Sequence, residues 1–416
     1  MMIKLKSFKI GKILLVIAIL GLIILPLVGC GNGGSTNSSS GDNKSGSNAT
    51  VGSTEPFKVG LIIPKSNVYA TLGENLSNGM TMYFDEIGWK AGGREIQLLQ
   101  EDEENDAQAA LRKAKKLVES DKSDVLVGVV NSSIALAIRD YVDQNKVPFL
   151  VAHAGAVGLT RAKKSDYVYR ISFTNEQVNF PNGKWTYENL GKKVFVIAPD
   201  YAAGKEQING FKKGFTSAGG TIVGEAWPPL GTNDYGSYLQ QITKAKPDAV
   251  YAFFAGTDAV RFVQQYSEFG LKKKIPLNGS GWLNAEDVRP AQGGAVEGVK
   301  GSLYWQLALD TPENKNFVEN YKKKFGKEPS GEAVEGYDAA RVIAEGLETL
   351  KGDSSDKLKV AQAWGDIKFV SPRGPIEFDK ENHMIIQNIY LAETQKIDGK
   401  LQNKIIATFK NVKDPI

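Results

Sequence analysis

The sequence predicts an α/β protein built from two doubly wound lobes, and three observations carry that expectation. From Phe57 onward, short apolar runs alternate with longer amphipathic stretches, as strands alternate with the helices that cover them. The same alternation restarts after Arg170, giving two α/β modules in tandem. The 416 residues leave room for two or three domains at about 150 residues each. A composition of 42% hydrophobic, 24% charged and 9% aromatic residues supplies a large core.

Ahead of this body, Lys4, Lys6, Lys9 and Lys12 precede a 17-residue apolar run, Ile13–Gly29. A basic region, an apolar region and small residues make an export signal, expected over residues 1–29. The run is short for a membrane span, which needs about 20 residues, and it contains Pro26. Leu27-Val28-Gly29-Cys30 resembles the lipobox of bacterial lipoproteins, and Cys30 is the only cysteine in the chain. By that resemblance the chain is cut before Cys30, whose thiol carries lipid. The protein is then anchored at the extracytoplasmic face of the bacterial cell membrane. Of residues 31–55, 20 of 25 are Gly, Ser, Asn or Thr, so 30–55 reads as a lipidated cysteine with a flexible tether. Its reach is roughly 25–30 Å.

In the first module, strands are expected at Lys58–Ile63, Glu95–Gln100, Asp124–Gly128 and Val147–Val151. Helices are expected at Leu72–Ile87, Ala107–Glu119 and Ser133–Gln144. The second module offers strands at Lys193–Ala198, Thr221–Gly224, Asp248–Phe254 and Lys274–Leu277. Helices separate them at about Gly204–Ala218, Tyr235–Lys244 and Asp258–Phe269. The tail changes character: helices at Asn314–Phe325, Ser330–Leu350 and Ser355–Ile367 precede short strands at Ile376–Phe378, Met384–Ala392 and Lys404–Phe409. Helices ending in a small β segment do not make a third α/β domain; they complete the two lobes.

Charge and composition exclude several functions. The first 30 residues hold four of the 51 basic residues and no acid, so the rest carries 47 basic against 47 acidic groups. A nucleic-acid binder needs surplus positive charge, so no nucleic-acid partner is expected. One cysteine and two histidines, His153 and His383, leave little for a disulfide framework or a metal centre. Ala198–Lys205 lacks the first glycine of a phosphate-binding loop, and Glu206 stands where Ser or Thr should. Asn278-Gly-Ser280-Gly-Trp282 is not a nucleophile elbow. Acid pairs such as Asp102/Glu104 and Glu286/Asp287 read as solvated surface. No catalysis and no cofactor are called for.

Binding reads better. In open α/β sheets, ligands settle beyond the carboxyl ends of the strands. Those ends carry Ser66, Asn67 and Tyr69, then Asn131-Ser132-Ser133, then Ala152-His153-Ala154-Gly155. In the second module they carry Asp200/Tyr201, Phe253/Phe254 and Ser280/Trp282. A serine before a helix is equally a cap or, with the free N–H groups there, an anion contact. One side offers small polar groups and the other aromatics.

Several segments resemble, in order, the branched-chain-amino-acid type of ABC-importer substrate-binding protein. They are Asn78–Glu86 with Gly92-Gly93, Val127–Ser133, Val147–Ala154, Asp200–Gly204 and Arg373–Asp379. The resemblance spans Phe57 to about Phe409. It implies the type I periplasmic-binding clamshell, with two α/β lobes joined by a three-crossing hinge. The lobes are then 56–173 with 304–373, and 174–303 with 374–416. Crossings are expected near Phe173–Asn175, Gly301–Tyr304 and Pro372–Pro375.

The resemblance further implies Ser132 as the carboxylate-binding serine, with His153 and Gly155 completing that subsite. Tyr201, Phe254 and Ser280 face them from the second lobe. The full expected ligand set is Tyr69, Asn131, Ser132, Ser133, His153, Ala154, Gly155, Phe173, Tyr201, Ala203, Phe254, Ser280, Trp282 and Tyr337. The implied role is a monomer that hands a small carboxylate-bearing solute to an ABC permease, held at the membrane through lipid on Cys30.

Two departures from the family pattern stand out. Amino-acid binders hold the α-ammonium with a second-lobe acid, and that place reads Ser280. The loop position that usually carries a hydroxyl reads Gly155. A buried ammonium without a counter-charge costs several kcal/mol, so the ligand is expected to lack an amino group. The aromatics near the cleft, and Ala255-Gly256-Thr257-Asp258, similar to members that take aromatic acids, favour an aromatic or aliphatic acid. The alternatives are an amino-acid binder whose ammonium partner is not apparent, a ligand-sensing ectodomain and an extracytoplasmic enzyme.

Overall fold

The run Phe-Lys-Val-Gly-Leu-Ile-Ile is buried along nearly its whole length, as a strand covered on both faces must be. It forms β1 (Phe57–Ile63) of a computed structural model that describes residues 55–415. The expected signal, Cys30 and the tether up to residue 54 lie outside the described residues.

After β1 come α1 (Ala70–Glu86), β2 (Lys90–Ala91), β3 (Arg94–Asp102), α2 (Ala107–Lys115), β4 (Val125–Gly128), α3 (Ser132–Gln144), β5 (Phe149–Val151) and β6 (Val168–Arg170). The first sheet has the order β2-β3-β1-β4-β5-β6, parallel except at β2. The chain leaves β1 toward β3 on one side and returns to β4 on the other. The C-terminal ends of β1 and β4 therefore flank a switch point.

The second lobe repeats the plan with α4 (Phe180–Asn189), β7 (Lys193–Ile197), α5 (Ala202–Ser217), β8 (Thr221–Ala226), α6 (Gly236–Ala245), β9 (Ala249–Ala252), α7 (Gly256–Glu268) and β10 (Leu277–Gly279). Its sheet order is β10-β9-β7-β8, all parallel, so the switch point falls between β7 and β9. The expected strand at Lys274–Leu277 is displaced. Pro276 has no N–H to give the ladder, its carbonyl accepts Val250 N, and the strand starts after it. Helix α4 lies outside the expected elements; Pro181 stands in its first turn, where a proline is well placed.

The tail holds α8 (Arg289–Gln292), β11 (Lys300–Leu303), α9 (Pro312–Phe325), α10 (Gly331–Thr349), α11 (Lys357–Gly365), β12 (Lys368–Ser371), β13 (Gly374–Phe378), β14 (Ile385–Ile397) and β15 (Lys400–Val412). Its strands make one antiparallel sheet, β11-β14-β13-β12 with β15 on β14, larger than the small β segment expected. Single bridges, Arg170 to Met384 and Ser280 to Ser302, join it to both parallel sheets. Helix α10 sinks against α1 because Gly79 and Gly336 leave no Cβ between the backbones. An added carbon would lie 1.9 Å from Ala333 O or 2.0 Å from Leu76 O. No helix among the described residues is long and apolar enough to cross a membrane.

Candidate ligand site

The two switch points face one another, and a cavity lies between them. Tyr69 and Leu72 reach it after β1, Val130 and Ser132 after β4, and His153 and Gly155 after β5. Phe173 and Asn175 enter from the segment leading to the second lobe. Tyr201 and Gln207 come from the start of α5, Phe253 and Ala255 from the end of β9, and Trp282 from the turn after β10. The Tyr69 and Tyr201 hydroxyls meet at 2.7 Å across the gap. Burial pushes both phenols up, so the pair is uncharged at neutral pH. The room for the centres of water-sized molecules is about 20 Å³, enough for little more than one water.

One wall is aromatic. Phe173 and Trp282 are tilted with centroids 4.9 Å apart, Phe253 meets Trp282 edge-on at 5.9 Å, and Tyr201 lies 6.4 Å from Phe253. The His153 ring stands edge-on to Phe173 at 5.3 Å and to Trp282 at 5.7 Å. The polar end is made by Ser132, Asn175 and Gln207. Asn175 Nδ2 donates to Ser132 Oγ at 3.2 Å and to Glu206 Oε2 at 2.8 Å, while Gln207 Nε2 donates to Asn175 Oδ1 at 3.0 Å.

Among the described residues, no Lys, Arg, Asp or Glu lines the cavity. The carboxylates around it are turned to protein donors. Glu103 accepts the Val130 and Asn131 N–H groups at 2.9 and 3.1 Å, and Glu206 accepts Val157 N at 3.0 Å. Glu332 accepts Trp282 Nε1 at 2.8 Å, and Glu335 Oε2 lies 2.5 Å from His153 Nδ1. Burial pushes Glu103 up to about 8, against the pull of its two N–H donors. Burial lowers His153 to about 4 and drives Glu335 well up.

Seven of the expected residues thus come together: Tyr69, Ser132, His153, Gly155, Phe173, Tyr201 and Trp282. The other seven do not reach the cavity. Asn131 is the cap of α3, its Oδ1 accepting Ser133 N at 2.8 Å, and Ser133 is exposed. Ala154 points the other way between His153 and Gly155, into the first-lobe core. Phe254 packs on Tyr235 and Phe262; its neighbour Phe253 takes the cavity face, because successive residues of an extended chain alternate sides. Ala203 is buried in the core beneath Tyr201. Ser280 is fully buried behind Trp282, and its Oγ has no partner. Tyr337 faces outward, donating to Glu86 Oε2 at 2.6 Å and meeting Tyr83 edge-on.

Gly155 has a physical reason. A Cβ there would lie 2.4 Å from Asn175 Oδ1 and 2.5 Å from the Phe173 ring, so the place of the usual hydroxyl is already occupied by Asn175. Leu72, Val130, Asn175, Gln207, Phe253 and Ala255 line the cavity from outside the expected set.

The model of the family described as "periplasmic binding protein" matches residues 56–400. The Leu/Ile/Val-binding protein homolog 6 of Brucella melitensis is 34% identical over 373 residues, covering 88% of this chain and 95% of that protein. The chain belongs to the leucine-binding-like family of type I periplasmic binding proteins. Solved members of the ABC solute-binding class superpose closely. One from R. palustris, in complex with benzoate, is 34% identical with a TM-score of 0.80, covering 87% of this chain and all of that one. A second, from Rhodopseudomonas palustris BisB5 with 3,4-dihydroxybenzoic acid, is 36% identical with a TM-score of 0.83, covering 87% and 99%. The leucine-binding protein of Thermotoga maritima shares the fold at 24% identity and a TM-score of 0.76, covering 85% and 98%.

Proposed function

We propose that this periplasmic binding protein captures an aromatic carboxylate of the benzoate class and delivers it to an ABC permease. The observation that carries the reading is a cavity walled by aromatic rings, with a Ser–Asn–Gln end and no charged side chain. Such a site stacks a flat ring and donates hydrogen bonds to an anion, but offers an ammonium no counter-charge. The benzoate and dihydroxybenzoate held by the R. palustris relatives are in keeping with it. The present free space of about 20 Å³ admits no aromatic ring, so the lobes must part for the solute to enter. The lobe built on β1–β6 then moves against the lobe built on β7–β10, about the three crossings. The protein acts as a monomer tethered by lipid on Cys30.

A thermal-shift series with benzoate, 4-hydroxybenzoate, phenylalanine and leucine tests this. An acid at about 100 times its Kd adds roughly 2.7 kcal/mol of stability. Ser132→Ala weakens that acid by about 1–3 kcal/mol, the range for a hydrogen bond to a charged group. A strong shift with leucine or phenylalanine and none with the acids replaces this reading with an amino-acid binder.

A further inference from the structure

A carboxylate brought into this cavity meets no cationic side chain on its walls, and a buried anion needs compensation. Among the described residues, His153 carries the only titratable nitrogen there, and its Nε2 makes no hydrogen bond. Beneath it Glu335 is completely buried, with Oε2 2.5 Å from Nδ1 and Oε1 without a partner.

We propose that the aromatic carboxylate binds together with one proton from solvent, which leaves His153 as an imidazolium between the ligand anion and Glu335. This deepens the aromatic-acid reading and rests on it. In the free protein the His153–Glu335 pair is neutral and holds two protons. In the complex it holds three: one on each imidazole nitrogen and one on the Glu335 carboxyl. Only N–H and O–H bonds change, and the added proton comes from water.

The surroundings favour that charge change. Helix α10 presents Glu332 as well as Glu335 to His153, and the Glu332 charge favours the imidazolium. Burial opposes it in the free protein, lowering His153 to about 4 and raising Glu335 well above the ordinary carboxyl range. An anion at Nε2 reverses that balance for the imidazole. The buried Tyr304 hydroxyl lies beside Glu335 and pulls its carboxyl down, against the larger effect of burial. Arg373 also acts on Glu335 but is committed to Asp338, its Nε donating at 2.8 Å. Asp287 stands beyond Glu332. On the other side, Arg170 donates to the carbonyls of Ala156 and Phe173 and to Thr160, with Asp414 and Glu206 near. It therefore spends its charge on the scaffold.

Calorimetry with sodium benzoate near pH 6.5 in phosphate, MES and bis-Tris buffers counts the protons. The observed heat should vary with buffer ionisation heat with a slope near one, and Kd should rise about tenfold per pH unit between roughly pH 5 and 7. His153→Gln should bring the slope to near zero. The chain has two histidines, so nitrogen-15 histidine spectra resolve them without mutation. Benzoate should turn one imidazole into an imidazolium. It should leave the other, His383 stacked on Tyr169 at 4.1 Å, unchanged. Benzoate binding with a slope near zero, or a neutral His153 in the complex, overturns the proposal, as does a slope unchanged in His153→Gln. Absence of any benzoate heat or thermal shift overturns the aromatic-acid reading itself.

Discussion

Gly256, the first residue of α7, is the point where closure of the lobes can be tested without touching the ligand. Its φ is +56°, and a Cβ built there would lie 2.3 Å from Val68 O, which belongs to the first lobe between β1 and α1. That is about 1 Å inside normal contact, and the obstacle is backbone on both sides. Gly256→Ala thus carries two separate costs. The left-handed backbone costs about 1–2 kcal/mol in every state of the protein, and lowers the melting temperature with or without ligand. The collision exists only when the lobes meet. If it raises the closed state by about 1.4–2.8 kcal/mol, affinity falls 10- to 100-fold. Calorimetry with benzoate, beside melts of the free protein, separates the terms. A lower melting temperature with affinity unchanged within twofold would refute the contact's role in closure.

The buried acid Glu103 sets a pH dependence. Its ordinary value of 4.5 is raised to about 8, so the folded chain retains a proton that the unfolded chain has released, and stability falls as pH rises through that window. His153, lowered from 6.5 to about 4, acts oppositely: its contribution is full above 6.5 and is lost as pH falls toward 4. Denaturant melts should therefore show stability falling between pH 6.5 and 8, and Glu103→Gln should flatten that fall; an unchanged slope assigns it to other buried acids such as Glu286. Cys30→Ser should leave the protein unprocessed or mislocalised, while the body starting near Pro56, freed of the signal, keeps its benzoate Kd within twofold; loss of affinity in that body would overturn the tether reading.

The parts of the site legible in the sequence are those at strand ends. A buried strand announces itself as an apolar run, and the residues just past it, Tyr69, Ser132, His153 and Tyr201, fall at the switch points whatever the details of packing. Which side of the strand faces the cavity is less visible. Ala249–Phe254 is apolar on both faces because helices cover both, so nothing in the pattern separates Phe253 from Phe254. Leu72 projects from the first turn of α1 and Gln207 from the second turn of α5, where helical periodicity reads as core. Asn175 lies in a segment between elements, with no periodic signal at all. Tyr337 was expected at the ligand and Glu335 was not, although they are two residues apart. Two residues turn a helix by about 200°, so one faces in when the other faces out.

That helix also explains why an uncharged wall can be held so firmly. Trp282 belongs to the second lobe and His153 to the first, yet both are fixed from behind by the opening turns of α10, through Glu332 and Glu335. Glu332 in the first turn is well placed, because a helix N-terminus favours negative charge. Both acids reach the rings because Gly79 and Gly336 let α10 sink against α1. Ser330 Oγ donates to the second oxygen of Glu332, so that carboxylate is satisfied on both sides, whereas Glu335 Oε1 is left open. The two acids therefore do different work. Glu332 pins an indole that has no proton to exchange, and closes the second lobe onto the first. Glu335 pins an imidazole that does have one, and under the proposal above it is that imidazole whose charge changes when the ligand binds.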